Sequence, residues 1–425
     1  MLLNRCIKIV FTFFFLQSAL ILANEEVAAN KKVIAYYTGW STYGRNYQVA
    51  DIPAEKLTHI NYAFANISQV QLDACGSYVS GGEVLLGDSY ADIDKAFGSV
   101  TWEIGELRGN FGELLKLKAK YPQLKTLISI GGWTWSNQFS DLAATAEGRF
   151  VFAQSAVKFM KTYGFDGVDI DWEYPVSGGN DIKHRPEDKE NFTLLMEALR
   201  QELTKAQTNG SEPYLLTIAT SAGVDKISNL ELVQVGNQVD WINVMTYDFH
   251  GAWESTTNHQ SALYPNTYDL NSGSYLQRDY NIDSAIKAYL DQGLKPQQIV
   301  IGAPIYGRSW GGVSSVGDGL NQSSSYIPAG SWDDWSSGVT GVMDYSRIHA
   351  LRNTSNFYWD RESQSSYLFY NGIFVTYDSV EAIHAKTKYI KDNKLAGIMF
   401  WELSGDSKNP EDSLVHTSYQ DLYRR

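Results

Sequence analysis

Short apolar runs recur along the chain at residues 33–37, 60–64, 126–130, 167–171, 215–219, 241–245, 299–301 and 397–400. Each has the length of a buried strand, and helical patterns separate several of them. Phe152, Ala156, Phe159, Met160 and Tyr163 fall on one helical face, and Gly164 stands where a left-handed C-cap would close that helix. A second helix is predicted over 191–203. Strands alternating with helices imply a parallel sheet, and eight such units imply closure into a (β/α)8 TIM barrel of the α/β class. An open dinucleotide-binding sheet would need a G-x-G-x-x-G turn, which the chain lacks. Two stretches break the rhythm. Residues 66–110 form a Gly-rich connection after strand two, and 306–378, rich in Gly, Ser, Trp and Tyr, follow strand seven. Loops after barrel strands build the active face, so both insertions are expected to wall a cleft.

The first residues read as an address. Arg5 and Lys8 precede an apolar run over 9–22, and Ala23 supplies a small residue before Glu25 and Glu26, the pattern of a cleavable secretory signal. The predicted organisation is a signal at 1–23 followed by one catalytic unit over 24–425, secreted to an extracellular or periplasmic space. Removing the signal takes away two cations and Cys6. The formal charge then moves from -13 to -15, and Cys75 remains as the lone cysteine, expected to be an incidental or buried thiol. An acidic chain without a Lys/Arg cluster has no footprint for nucleic acid or an anionic membrane, so a neutral substrate fits better; the chain is expected to be a monomer.

Chemistry concentrates in Asp166-Gly167-Val168-Asp169-Ile170-Asp171-Trp172-Glu173. On a strand Asp169, Asp171 and Glu173 share one face, about 6 to 7 Å apart, while Val168, Ile170 and Trp172 share the other. Three buried acids at that spacing repel, so at least one should hold a proton. Acid/base catalysis is the leading reading and a divalent-metal site the alternative. Glu173 stands last, at the end of a barrel strand that faces substrate.

These residues resemble glycoside hydrolase family 18, the family of chitinases, whose signature is D-x-x-D-x-D-x-E. Ser129-Ile130-Gly131-Gly132-Trp133 is similar to the family's strand-three motif, Met245-Thr246-Tyr247-Asp248 to its strand-six motif, Tyr306-Gly307-Arg308 to the segment after strand seven, and Phe400-Trp401-Glu402 to its strand-eight tryptophan segment. The resemblance implies that 306–378 form the small α+β insertion of a bacterial-type subfamily. It implies a catalytic set of Glu173, Asp171, Asp169 and Tyr247. In that set Glu173 protonates the glycosidic oxygen, the substrate's own N-acetyl carbonyl attacks the anomeric carbon, Asp171 orients the acetamido group, and Tyr247 donates to its oxygen. It further implies a substrate surface of Tyr36, Phe64, Gly131, Gly132, Trp133, Thr134, Tyr174, Met245, Asp248, Tyr306, Arg308 and Trp401, with Asp166 and Ser129 in support.

Sugar rings stack on indole and phenol faces, so Trp40, Trp102, Trp135, Trp253 and Trp310 are weaker candidates, about half of them expected in the core. The seven histidines show no H-x-H or H-E-x-x-H spacing, and neither a metal nor a cofactor is expected. The expected function is a secreted endochitinase acting on chitin or chitooligosaccharides. The alternatives are an endo-β-N-acetylglucosaminidase acting on N-glycans and a non-catalytic chitin-binding lectin.

Overall fold

The computed structural model describes residues 31–98, 106–334, 338–353 and 356–424. The predicted signal and Trp102 lie outside these residues. Eight parallel strands form the barrel: Lys32–Thr38, His59–Ile67, Lys125–Gly131, Gly167–Asp171, Leu215–Ser221, Trp241–Met245, Ile299–Pro304 and Gly397–Trp401. Strand one pairs with both strand two and strand eight, which closes the sheet. All eight anticipated strands are present. Strand seven runs three residues longer than its apolar run, because its pairing with strand eight continues through Gly302, Ala303 and Pro304.

Alternation along the strands sorts the side chains into two layers. Outward residues such as Val33, Ile128, Val168, Ile170 and Trp172 are buried in the main core beneath the helices. The helix Ala146–Tyr163 is capped by Thr145, whose hydroxyl accepts the Gly148 N–H at 3.0 Å, and it ends at Gly164 with φ 73°. Its neighbour is the helix Asp188–Ala206, longer at both ends than the predicted span. Phe139 stacks on Trp172 at 5.3 Å and so fixes the outer face of strand four. The inner layer mixes Ile34, Tyr36, Trp241, Val300 and Met399 with the polar groups described below.

After strand seven the chain builds an antiparallel five-stranded sheet in the order Val342–Asp344, Tyr306–Gly311, Ile373–Tyr377, Ser365–Tyr370, Phe357–Asp360, together with the helix Tyr345–Leu351. This is the α+β insertion. The insertion after strand two differs from expectation. It folds into a hairpin, Gln71–Leu72 with Tyr78–Ser80, and an edge strand, Val84–Leu85, and none of its described residues lines the cleft. Instead Gly87 packs so closely that a Cβ there would lie 2.8 Å from the Trp135 ring, which makes this insertion a brace behind the wall. Cys75, on the same insertion, is exposed rather than buried. Among the described residues no helix is long and apolar enough to cross a membrane.

Candidate active site

Strand four and the two residues that follow it carry Asp169, Asp171 and Glu173 toward the C-terminal mouth of the barrel. Asp169 is fully buried, yet both of its oxygens are served. Its Oδ2 accepts from Tyr36 OH and Ser129 Oγ, both at 2.7 Å, and its Oδ1 from Thr217 Oγ1 at 2.5 Å and Asn243 Nδ2 at 3.3 Å. These donors come from strands one, three, five and six. Burial raises the Asp169 pKa, and the four hydrogen bonds oppose the rise.

Asp171, one step higher, is 4% exposed and its Oδ1 has no partner among the described residues. Burial, then the charges of Glu173 and Asp169, hold its pKa well above the ordinary carboxylate range. Glu173 is buried with a pKa pushed up to about 7. Desolvation is the main cause, a hydrogen bond from Tyr174 opposes it, and the Asp248 charge adds to it. Glu173 also has its backbone fixed, since its N–H donates to Ser136 Oγ at 2.9 Å while that hydroxyl donates to the Gly132 and Asp171 carbonyls. The trio therefore retains at least one proton at neutral pH, with the upper pair titrating together.

A cleft of about 900 Å³ opens above this trio. Trp401 forms its floor, stacked on Phe64 at 5.6 Å and tilted against Tyr36 at 5.4 Å, with Trp40 at 6.5 Å. Trp133 and Trp253 line the cleft 51% and 59% exposed, the condition a ring-stacking platform needs. Gly131 and Thr134 line the cleft beside Trp133. Gly131 has φ 109°, and a Cβ on it would collide with the Asp171 carbonyl, so only glycine lets strand three approach strand four here. Gly132, at φ 79°, does not itself line the cleft but lets the Phe64 ring sit against its backbone.

Tyr247, Asp248, Tyr306 and Arg308 close the far side. Asp248 accepts from Tyr306 OH at 2.7 Å and Arg308 Nε at 2.6 Å, while the Arg308 guanidinium lies over the Trp253 ring at 4.7 Å. The Tyr247 hydroxyl stays protonated, since burial, then Asp171 and Glu173, push its pKa well above 10. Tyr174 and Met245 also line the cleft.

Apart from Gly132, which backs Phe64 without lining the cleft, the structure brings together the sequence-selected residues with one exception. Asp166 sits at the opposite, N-terminal end of strand four, where its Oδ2 accepts from Lys118 Nζ at 2.7 Å and the Thr126 N–H at 2.8 Å. It supports the base of the barrel and makes no contact with the acids above it. Among the weaker candidates Trp40, Trp135 and Trp253 line the cleft. Trp310 is instead buried in the insertion against Phe374, its indole N–H on the Glu254 carbonyl at 2.9 Å. Thr217, Asn243 and Ser136 escape sequence reasoning, because nothing local marks a strand hydroxyl or amide as the partner of a distant carboxylate. Among the described residues no group of three or more His, Cys, Asp or Glu side chains is placed to hold a metal ion.

Fold and site together define a (β/α)8 barrel with a carboxyl-centred, aromatic-walled cleft at its C-terminal mouth. The chain belongs to the glycosyl hydrolases family 18, whose model matches residues 32–406. It is 41% identical over 426 residues to chitinase A1 of Niallia circulans, covering 95% of this chain and 60% of that protein. It is 36% identical to chitinase 1 of Aphanocladium album, covering 91% of this chain and 84% of the relative. Among solved structures, chitinase ChiA74 from Bacillus thuringiensis superposes with a TM-score of 0.84 at 41% identity, over 92% of this chain and 70% of that one.

Proposed function

We propose that this protein is a secreted chitinase that cleaves β-1,4-linked N-acetylglucosamine polymers with retention of anomeric configuration. The observation that carries the proposal is a buried Glu173, with its pKa raised to about 7, sharing a pocket with Asp171 and opposite a protonated Tyr247 under an aromatic cleft. A carboxyl held near neutrality is matched to protonating a leaving oxygen.

The proton moves from Glu173 to the glycosidic oxygen as the C1–O bond breaks. The acetamido carbonyl oxygen of the same sugar attacks C1 from the opposite face, giving a cationic oxazolinium ring. Asp171 passes its proton to the Asp169 carboxylate beneath it, and the Asp171 carboxylate so formed accepts from the acetamido N–H and balances the positive charge. Tyr247 donates to the acetamido oxygen and holds it in attack geometry. Water, deprotonated by the Glu173 carboxylate, then adds to C1 on the face the leaving group vacated. Two inversions amount to retention. Trp401 supports the cleaved sugar from below, and the neutral, stacking character of the walls suits an uncharged polysaccharide. The basic start and apolar run at 5–22 support export.

The test is a defined chitohexaose digested by wild type and Glu173→Gln, with products separated by anomer. The β-anomer is expected first from wild type, and Glu173→Gln should bind oligosaccharide but lose at least about a hundredfold in turnover, the low end of what acid catalysis contributes. Near wild-type turnover in that variant would refute the assignment. Release of N-glycans without cleavage of chitohexaose would transfer the substrate, and binding without any product would make the protein a lectin.

A further inference from the structure

Tyr247 needs a fixed ring to place its hydroxyl, yet among the described residues that hydroxyl has only a weak contact, the Met399 sulfur at 3.9 Å. Its seat is made from behind. Gly302 of strand seven lies against the ring so closely that a Cβ there would fall 2.7 Å from Tyr247 Cε1. The position of Gly302 is set in turn by Thr246, whose hydroxyl accepts the Gly302 N–H at 2.9 Å and donates to the Gly302 carbonyl at 2.7 Å.

Thr246 is itself held. Its carbonyl accepts from Ser261 Oγ at 2.5 Å, and Ser261 Oγ accepts from Lys386 Nζ at 2.7 Å. Lys386 lies on the helix Val380–Asp392 and pairs with Asp378, which directly follows the insertion's last strand. Thr246, Ser261, Asp378 and Lys386 are each no more than 3% exposed. A buried ion pair is a poor way to stabilise a fold, because desolvating both charges offsets most of their attraction, and well-packed apolar side chains do as well. What such a pair does supply is a fixed direction for its remaining hydrogen bonds. Here the remaining bond points at the backbone of the strand-six motif.

We infer that the Asp378–Lys386 pair, acting through Ser261 and Thr246, is a positioning device that sets the Tyr247 ring for the acetamido group. The inference rests on the proposed role of Tyr247. It makes Ser261 and Lys386 positioning residues about the junction where the insertion returns to the barrel, so the insertion contributes to the reaction from behind the site as well as from its wall.

The experiment is a double-mutant cycle on chitohexaose hydrolysis. Ser261→Ala keeps the ion pair and cuts the link. It should lower kcat about five- to twentyfold with KM within about twofold, the pattern of an interaction used in the transition state. In a Tyr247→Phe background the same substitution should change kcat less than about twofold, because residues acting through one another are not additive. A paired Asp378→Leu, Lys386→Met replacement, which leaves no unpaired charge, should retain thermal stability and reproduce the Ser261→Ala loss. Full additivity with Tyr247→Phe, or an unchanged kcat in Ser261→Ala, would overturn the inference. Loss in Ser261→Ala with none in the paired replacement would overturn the role of the ion pair. Failure of the reading beneath it looks different: Tyr247→Phe itself would then turn over like wild type, or wild type would not cleave the oligosaccharide.

Discussion

The acid trio that would do the chemistry should destabilise the protein that carries it, and replacing Glu173 with Gln measures by how much. In the folded chain the Glu173 carboxyl is raised from 4.5 to about 7. A group whose folded pKa lies above its unfolded value binds more protons when folded, so stability falls as pH rises from one value to the other. At about 1.36 kcal/mol for each tenfold change in proton affinity, the cost above pH 7 is about 3 kcal/mol. Below pH 4.5 the carboxyl is neutral in both states and the cost vanishes.

Gln is nearly isosteric and never ionises. Glu173→Gln should therefore be more stable than wild type by about 2 to 3 kcal/mol at pH 8, after allowing for an amide less well partnered than the acid. The advantage should shrink from pH 7 to 4.5 and be close to zero at pH 4. Asp171 works in the same direction, since removing the Glu173 charge also removes one cause of its raised pKa. Urea unfolding followed by tryptophan fluorescence at pH 4, 6 and 8 reads this directly. A stability difference that does not change with pH, or a Glu173→Gln variant less stable than wild type at pH 8, would refute the reasoning.

Three further outcomes follow from the same geometry. The kcat/KM profile of wild type should fall on the alkaline side through a pKa of about 7 as Glu173 loses its proton, and Asp248→Asn, which removes a charge that raises that pKa, should move this limb to lower pH; an unmoved limb would separate Asp248 from Glu173. Tyr36→Phe deletes one donor to the Asp169 carboxylate, a charged hydrogen bond of about 1.5 to 3 kcal/mol, and should raise the acidic limb by about one to two pH units; an unchanged acidic limb would show that Asp169 does not control it. Gly131→Ala should lower both stability and turnover, because the new methyl runs into the Asp171 carbonyl at a φ of 109°; wild-type melting and activity would contradict the close approach of strands three and four.

What the sequence disclosed and what it concealed divide along one physical line. Alternation within a strand is local, so spacing alone places Asp169, Asp171 and Glu173 on one face, and the eight apolar runs count into a closed barrel. The donors that make Asp169 tolerable come from Tyr36, Ser129, Thr217 and Asn243, and only the sheet's register joins them. Thr217 and Asn243 carry no local mark of that duty. Aromatic exposure is equally non-local: Trp253 and Trp310 look alike in the chain, yet one faces the cleft and the other fills the insertion.

Asp166 shows the converse, because nearness along a chain is not nearness in space. Seven residues at about 3.3 Å each set it up to about 23 Å from Glu173 along an extended chain. One short motif therefore performs two tasks at opposite ends of one strand. Asp166 ties its lower end to Lys118 and the start of strand three, while the acids above it stand in a separate environment whose donors come from other strands.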